Sequence, residues 1–582
     1  MAIKLKFLIE YMHKFRWWYT GGIIFLALTI WVSVTIPEYL QKSIDLIPLG
    51  RSGNESQFYH YVFIILILAI VLIAVRTMSR VLFFIPGRLI ERKLKGEMFR
   101  KLSSFGKDFF DNNDTGSSIS RINNDINGVR MITGFGIMQS FNILFSLSVT
   151  PYKMWQLSWE LTLYCIFPLV LIFTIVRFGM VIMVKNTHLR MASLQRLSGR
   201  TVSFLSGISV IKSYNMYNWA EEKIEEENVS LLNYTLKIAW VRSFIMPLLG
   251  NLEQILKIVV LFVGGMYVIN GKFTIGELTA FIAYAALLTM PIMGFGWVLT
   301  VFQQGFVGIS SIQTIMNRKG VDDDKVLLHQ GDKAKLFSNG IEVKNLNFKY
   351  YNGDVPVLKN ISFNIKPGEI IGVTGEVGSG KTTLVNCINR YLDIGENQIF
   401  LNANDISKLR GSEVRSVVRT VSQDVFLFSD TIENNIRFGA KEAEKNKPID
   451  QVIYQSSLVD EIQRFPNREN TLVGERGIML SGGQKQRISL ARALYTPCDL
   501  LILDDVFSAV DNETERFLIK QIFENHAAKS LLIISNRVSV LQRTDKILVL
   551  EDGELVAKGT HNELIEKSDF YRKTWELQEE PA

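Results

Sequence analysis

Gly375-Glu376-Val377-Gly378-Ser379-Gly380-Lys381-Thr382 fits G-x-x-x-x-G-K-[ST], the pattern of a phosphate-binding loop. A short apolar run, Glu369–Thr374, leads into it and reads as a strand. Glycines at this spacing let backbone N–H groups converge on phosphate oxygens, and the helix that follows points its N-terminus at them. Lys381 supplies a point charge near the β- and γ-phosphates, and the Thr382 hydroxyl, with Thr383 beside it, suits Mg²⁺. Working outward, Val421-Ser422-Gln423 comes before Phe426-Leu427-Phe428. Leu480-Ser481-Gly482-Gly483-Gln484 lies further on, and the apolar run Leu500-Leu501-Ile502-Leu503 ends in Asp504 and Asp505. Ser508-Ala509-Val510-Asp511 and Ile534-Ser535-Asn536-Arg537 close the series. Upstream, Ile341 opens a strand-like stretch with Tyr350 and Tyr351 a little beyond it.

The 582 residues leave room for more than one domain. An apolar content of 48% beside 21% charged residues implies an apolar part joined to an ordinary globular part. Long apolar stretches end near Phe302, and mixed sequence begins near Ile341. The polar Met316–Gly340 stretch between them, with Asp322-Asp323-Asp324, reads as a linker. Net charge is +7, but Lys and Arg gather at the ends of apolar segments, as the positive-inside rule requires. No base-stacking or groove-reading motif accompanies the charge, which argues against a nucleic-acid partner. Cys165, Cys387 and Cys498 are far apart and lack metal spacing, so neither a disulfide framework nor a zinc site is implied. The N-terminal apolar run is too long for a cleavable signal peptide, and no targeting extension is expected.

A bilayer core needs about 20 mostly apolar helical residues. Six segments qualify: Gly21–Ile36, Tyr59–Val75, Met131–Thr150, Leu161–Val176, Ile245–Ile269 and Leu278–Phe302. Trp17, Trp18 and Tyr19 sit where an interfacial anchor belongs. Short connections join segments one to two, three to four and five to six. The stretches Arg88–Lys107 and Lys185–Lys237 are long, charged and poor in helix breakers, so long helices continue into water. Lys4, Lys6, Lys14 and Arg16 put the N-terminus and the long loops in the cytoplasm. Glu253 and Lys257, four apart in the fifth segment, read either as a self-neutralising pair facing a water-filled cavity or as a substrate contact.

The order and spacing of these motifs resembles the nucleotide-binding domain of ABC transporters. The membrane half resembles that of ABC exporters: Phe109-Phe110-Asp111, Thr115-Gly116 and Ser120-Arg121-Ile122 through Asp125 look like the family's first intracellular loop. Ser206-Gly207-Ile208 with Val210-Ile211-Lys212 looks like the second, and Gly276-Glu277-Leu278, Ala280-Phe281 and Pro291 look like its sixth helix. The resemblance implies an all-α six-helix transmembrane domain (1–315), a linker (316–340) and an α/β, RecA-like P-loop ATPase domain with a helical subdomain (341–582). It further implies short coupling helices near Gly116–Asn124 and Tyr214–Ala220. Tyr350 would stack on adenine, with Tyr351 as an alternative. Gln423 would contact Mg²⁺ with Thr382 and Asp504, and Gly474-Glu475-Arg476-Gly477 is similar to the loop exporters place before the signature. The signature Leu480–Gln484 and the D-loop Asp511 would close over nucleotide held by the opposite subunit, making the working unit a dimer.

Two positions depart from that family. Asp505 stands where Glu usually orients the attacking water, and its side chain is one methylene shorter. Asn536 stands where His usually reaches the γ-phosphate, and it carries no positive charge. The pattern resembles the degenerate half of heterodimeric ABC exporters. It implies ATP-driven export of an amphiphilic compound (drug, lipid or peptide) from a bacterial plasma membrane, with a second ABC half-transporter as partner. A homodimeric lipid flippase or multidrug exporter is the alternative within the family, and an ATP-gated channel or regulator the alternative outside it.

Overall fold

The computed structural model describes residues 2–47, 55–113, 115–322, 325, 335–350, 353, 355–440, 444, 446–474, 480–508, 510–525 and 528–579. Tyr351, Asp323, Asp324, Glu475–Gly477 and Ala509 lie outside the described residues, as do the side chains of Thr115 and Ser117. The chain divides into two units, residues 1–99 with 118–317, and 100–117 with 318–582.

The first unit is helical. Six helices are long and apolar enough to cross a membrane: Arg16–Asp45, Glu55–Ser103, Ser118–Leu157, Trp159–Ser206, Leu252–Ile269 and Ile275–Met316. At about 1.5 Å per residue, the second spans about 73 Å, more than twice the ~30 Å hydrocarbon core. Its apolar window is only 6% buried, so Ile70, Ile73 and their neighbours present hydrocarbon outward, as a lipid-facing surface must. The third and sixth helices cross on small residues. A Cβ at Gly305 would come within 2.9 Å of the Gly128 carbonyl oxygen, and the third helix takes π-turns at Arg121–Asp125 and Ile132–Gly136 on either side. The sixth helix starts at a reciprocal cap between Thr274 and Glu277, and the Gly276 N–H and Thr274 hydroxyl both donate to Asp45 of the first helix.

Three sequence expectations are corrected here. The fifth segment is not one helix from Ile245: Tyr217–Gly250 ends, and Leu252 starts a new helix after Asn251. Asn251 satisfies the Pro247 carbonyl with both its backbone N–H and its side-chain amide, 2.9 Å each, which closes the helix locally. Gly116–Asn124 forms no separate short helix but runs as Thr115–Ser120 into the third membrane helix. The short helices occur at Lys107–Asn112 and Ile208–Ser213, and Tyr217–Ala220 already belongs to the long helix after the second. The Glu253 and Lys257 side chains pair with each other at 2.6 Å.

The second unit is α/β. One sheet, in the order β2-β1-β4-β5, is antiparallel: β1 Ile341–Phe348, β2 Leu358–Ile365, β4 Ile399–Leu401 and β5 Asn404–Asp405. The other has the order β10-β9-β3-β8-β7-β6, with β3 Ile370–Gly375, β6 Val418–Val421, β7 Leu500–Asp504, β8 Ser530–Ile534, β9 Lys546–Glu551 and β10 Glu554–Gly559. All its pairings are parallel except β9 with β10. Every residue of β7 and β8 is buried, so these strands read as continuous apolar runs, as strands covered on both faces do. Leu336 and Phe337, in the stretch expected as linker, are buried in the same core. Short helices Ile432–Arg437, Asp450–Gln455 and Val459–Arg464 pack with Gly482–Tyr495 around a second core. Within this unit Arg318 lies over Phe105 and Phe109, 5.8 and 5.1 Å from their ring centres.

Candidate nucleotide-binding site

Ligands of open parallel sheets bind beyond the carboxyl ends of the strands. Four neighbouring strands end here at candidate residues: β3 at Gly375, β8 just before Ser535 and Asn536, β7 at Asp504 and β6 just before Ser422 and Gln423. A cleft of about 270 Å³ lies there, lined by Gly378, Gly380, Lys381, Thr382, Thr383, Gln423, Asp504, Asp505 and Asn536. Val377, Ile534 and Ser535 from the quoted motifs complete the lining with Val357, which the sequence did not single out.

The loop from β3 to the helix Lys381–Ile388 takes left-handed backbone at Gly378 (φ +88°) and Gly380 (φ +95°). At Gly375 a Cβ would stand 2.0 Å from the Leu550 carbonyl oxygen, so only glycine passes there. Ser379 is buried, and its hydroxyl has no hydrogen-bond partner among the described residues. Lys381 Nζ donates to the Gly375 and Glu376 carbonyls at 2.7 Å each, so the ammonium curls back over the loop. Burial pulls its pKa below the ordinary lysine range, against the opposing charges of Asp504 and Asp505.

Asp504 is held above the usual carboxylate range, first by burial and then by the charges of Asp505 and Asp424; the Thr382 hydroxyl and Lys381 oppose this. Among the described residues no three carboxylates cluster as metal ligands, but the oxygen donors of Thr382, Gln423 and Asp504 line the cleft together and are of the kind that fits Mg²⁺. Asp424 belongs to this field and was missed; its only signal was adjacency to Gln423.

Asp505 has left-handed backbone (φ +51°), a region that short polar side chains enter most readily. Its N–H donates to the Ile534 carbonyl at 3.1 Å, and its carbonyl accepts the Ser508 hydroxyl at 2.9 Å. Asn536 Oδ1 accepts the Thr374 hydroxyl at 3.2 Å, which leaves the amide nitrogen as the donor it can offer the cleft. Its carbonyl accepts from the Gln578 amide at 2.8 Å, and the Val538 N–H donates back to Gln578 at 2.9 Å. No feature of the sequence pointed to Thr374 or Gln578.

Tyr350 packs edge-on against Phe348 and its hydroxyl is 3.1 Å from that of Thr383, which ties it to the phosphate loop's helix. Away from the cleft, Ser481 caps the helix Gly482–Tyr495, with Gln484 returning the bond to the Ser481 N–H, while Leu480 is buried and Ser481 and Gly482 are exposed. Gln486 on that helix donates to Ser508 at 3.2 Å. Asp511 accepts the Glu513 and Thr514 N–H groups at 3.2 and 3.0 Å, which caps the next helix and lowers its pKa. Within one chain, therefore, the phosphate loop, Gln423, Asp504, Asp505 and Asn536 converge on one cleft, and the signature and Asp511 do not line it.

Residues 19–292 match the family model of the ABC transporter transmembrane region, and 358–508 match that of the ABC transporter. The multidrug resistance-like ATP-binding protein MdlA of Buchnera aphidicola is 32% identical, over 98% of this chain and 98% of its own length. The chain belongs to the ABC transporter family. A probable multidrug resistance ABC transporter ATP-binding/permease protein of Bacillus subtilis is 30% identical over 96% of this chain and 95% of its own. An ATP-dependent lipid A-core flippase of Syntrophus aciditrophicus is 31% identical, covering 84% and 81%. The structure of a bacterial Atm1-family ABC exporter with ATP bound shares the fold, with a TM-score of 0.78 at 22% identity over 97% of this chain and all of that one. This ABC transporter is thus of the exporter half-transporter type, a multi-pass integral membrane protein of the bacterial inner membrane whose second domain binds ATP.

Proposed function

We propose that this chain is one half of a heterodimeric exporter that moves an amphiphilic compound outward, and that its own phosphate loop holds Mg-ATP but turns it over slowly. One observation carries this reading: Gly378, Gly380, Lys381 and Thr382 of the phosphate loop share a cleft with Asp505 and Asn536. Lys381, Gly378, Gly380 and the start of the Lys381–Ile388 helix bind the phosphates, Tyr350 faces the base, and Thr382, Gln423 and Asp504 hold Mg²⁺. When bound, the metal would neutralise charge on the transferring phosphate. Asp505, one methylene short of Glu, sets the attacking water less well; a misplacement on the order of 1 Å can cost ~10²-fold. Asn536 offers one neutral donor where a cation would stabilise developing charge better. The exposed Ser481 and Gly482, at a helix N-terminus, are suited to complete the site of a second subunit, whose hydrolysis would reset the pair.

Asp505→Glu combined with Asn536→His is expected to raise turnover at this chain's own site by about 10- to 100-fold. Unchanged ATPase activity, with ATP binding intact, would place the defect elsewhere. A homodimer draws support from the likeness to a lipid flippase and from the carboxylate that Asp505 retains. It requires steady turnover without any second chain.

A further inference from the structure

Arg76 and Arg80 stand one turn apart on the second membrane helix, and both line a groove of about 450 Å³ within the first unit. Leu26, Met138 and Met290 give it apolar wall. The third helix contributes Gln139, Asn142, Ser146 and Thr150, whose spacing places them on one face. Arg76 lies about 25 Å along its helix from Tyr59, so the groove's cationic part falls towards one end of a ~30 Å hydrocarbon core.

The charge of this groove is uncompensated. None of its lining residues is acidic, and among the described residues neither guanidinium pairs with a carboxylate. Two like charges at i and i+4 repel, and a charged side chain within an apolar helix is costly unless it meets a partner or a function. Glu253 and Lys257 in the fifth helix show the other solution, mutual pairing at 2.6 Å. A second, independent observation concerns hydroxyls. Ser33 (8% exposed) and Thr150 (1% exposed) line the groove with side-chain oxygens that have no hydrogen-bond partner among the described residues. Thr29 and Ser79, by contrast, spend theirs on backbone carbonyls at 2.7 and 2.8 Å. Buried hydroxyls left open cost stability, so a ligand oxygen or proton donor is what they fit.

The geometry points to a binding site for an anionic amphiphile, with a phosphate or carboxylate headgroup on Arg76 and Arg80 and its chain along the apolar wall. It rests on the exporter reading for its consequence, transport, but not for binding. The guanidinium fork matches such oxyanions bidentately, which an ammonium does not. Ser33, Asn142 and Thr150 then add neutral hydrogen bonds deeper in the groove. The same chemistry is offered by an anionic lipid and by a soluble anionic amphiphile.

The test uses the full chain in phosphatidylcholine nanodiscs, titrated with a fluorescent alkyl phosphate and with its alkyl trimethylammonium counterpart, without nucleotide. The alkyl phosphate is expected to bind at least 10-fold more tightly, and R76Q/R80Q to remove that preference. R76K/R80K should restore it in part, because charge returns without the fork. If R76Q/R80Q does not fold, Ser33→Val with Thr150→Val should weaken alkyl phosphate binding several-fold while leaving both arginines in place. Competition by added phosphatidylglycerol assigns the site to a lipid headgroup, and no competition assigns it to a soluble anion; both outcomes uphold it. Equal binding of the cationic probe, or alkyl phosphate binding unchanged in the folded variants, would overturn it. Release of bound alkyl phosphate on adding Mg-ATP reports on the exporter reading separately, so the two can fail independently.

Discussion

The two sides of the nucleotide cleft differ in what holds them. On one side, Gly375, Gly378 and Gly380 adopt backbone that side chains reject, Ser379 is buried, and Lys381 is anchored on two loop carbonyls. On the other, polar contacts to Ile534 and Ser508 place Asp505, and contacts to Thr374 and Gln578 place Asn536. On the proposed reading, binding is built into backbone geometry, whereas hydrolysis would depend on two side chains that can change without disturbing the loop. The proposed scheme requires that a site keep the first property and lose most of the second, with the second subunit's site supplying the faster turnover.

Removing Lys381 should break the better-built side outright. Lys381→Ala is expected to weaken ATP binding about 100-fold, read by equilibrium binding of a fluorescent ATP analogue, because charge-assisted phosphate contacts are lost. Near-normal affinity would show that the cradle binds through backbone alone. Next in size is Ser481→Arg, which blocks a helix start outside this chain's own cleft. In the assembled transporter it should silence the other subunit's site at least about 10-fold more than its own, measured by nucleotide trapping on each chain. Equal loss at both would sink the asymmetric scheme.

Asp504→Asn sharpens the comparison through stability. Burial and neighbouring carboxylates hold the Asp504 pKa above its unfolded value, so the folded chain binds this proton more tightly than the unfolded one. Acidification through the window between the two values therefore gains stability from this group, the reverse of an ordinary salt-bridged carboxylate. Without Mg²⁺ the D504N chain should melt higher than the unsubstituted one at neutral pH, with the difference shrinking as pH falls towards 4. A lower melting temperature at neutral pH would mean that the Thr382 hydrogen bond outweighs burial. Smallest is Gln578→Ala, which removes the bracket on Asn536 and Val538. A loss of about 1 kcal/mol or less is expected, with ATP binding unchanged.

The side of the cleft written in glycines was legible in the sequence, because its spacing is dictated by backbone geometry. The strand end at Asp504 was legible as well, since the apolar run Leu500–Leu503 marks a central parallel strand. The bonds from Thr374 and Gln578 to Asn536 were not, because they join residues 162 and 42 positions apart. In the membrane half, hydropathy located all six helices but not the end of the long helix at Gly250. That end depends on Asn251 bonding the Pro247 carbonyl, which an apolar count cannot register. The resemblance put short helices near Gly116–Asn124 and Tyr214–Ala220, whereas they stand at Lys107–Asn112 and Ile208–Ser213. Gly106 and Gly207 stand as their N-caps, and of these only Gly207 lies inside a quoted motif, Ser206-Gly207-Ile208.

The most direct measurement is Mg-ATP hydrolysis by this chain purified alone in lipid, with bound ATP counted in the same sample. Close to one ATP held per chain with negligible turnover is the expected result, and it would start the search for the second subunit. Steady turnover from this chain alone would contradict it, and would make Asp505 and Asn536 competent members of a homodimer.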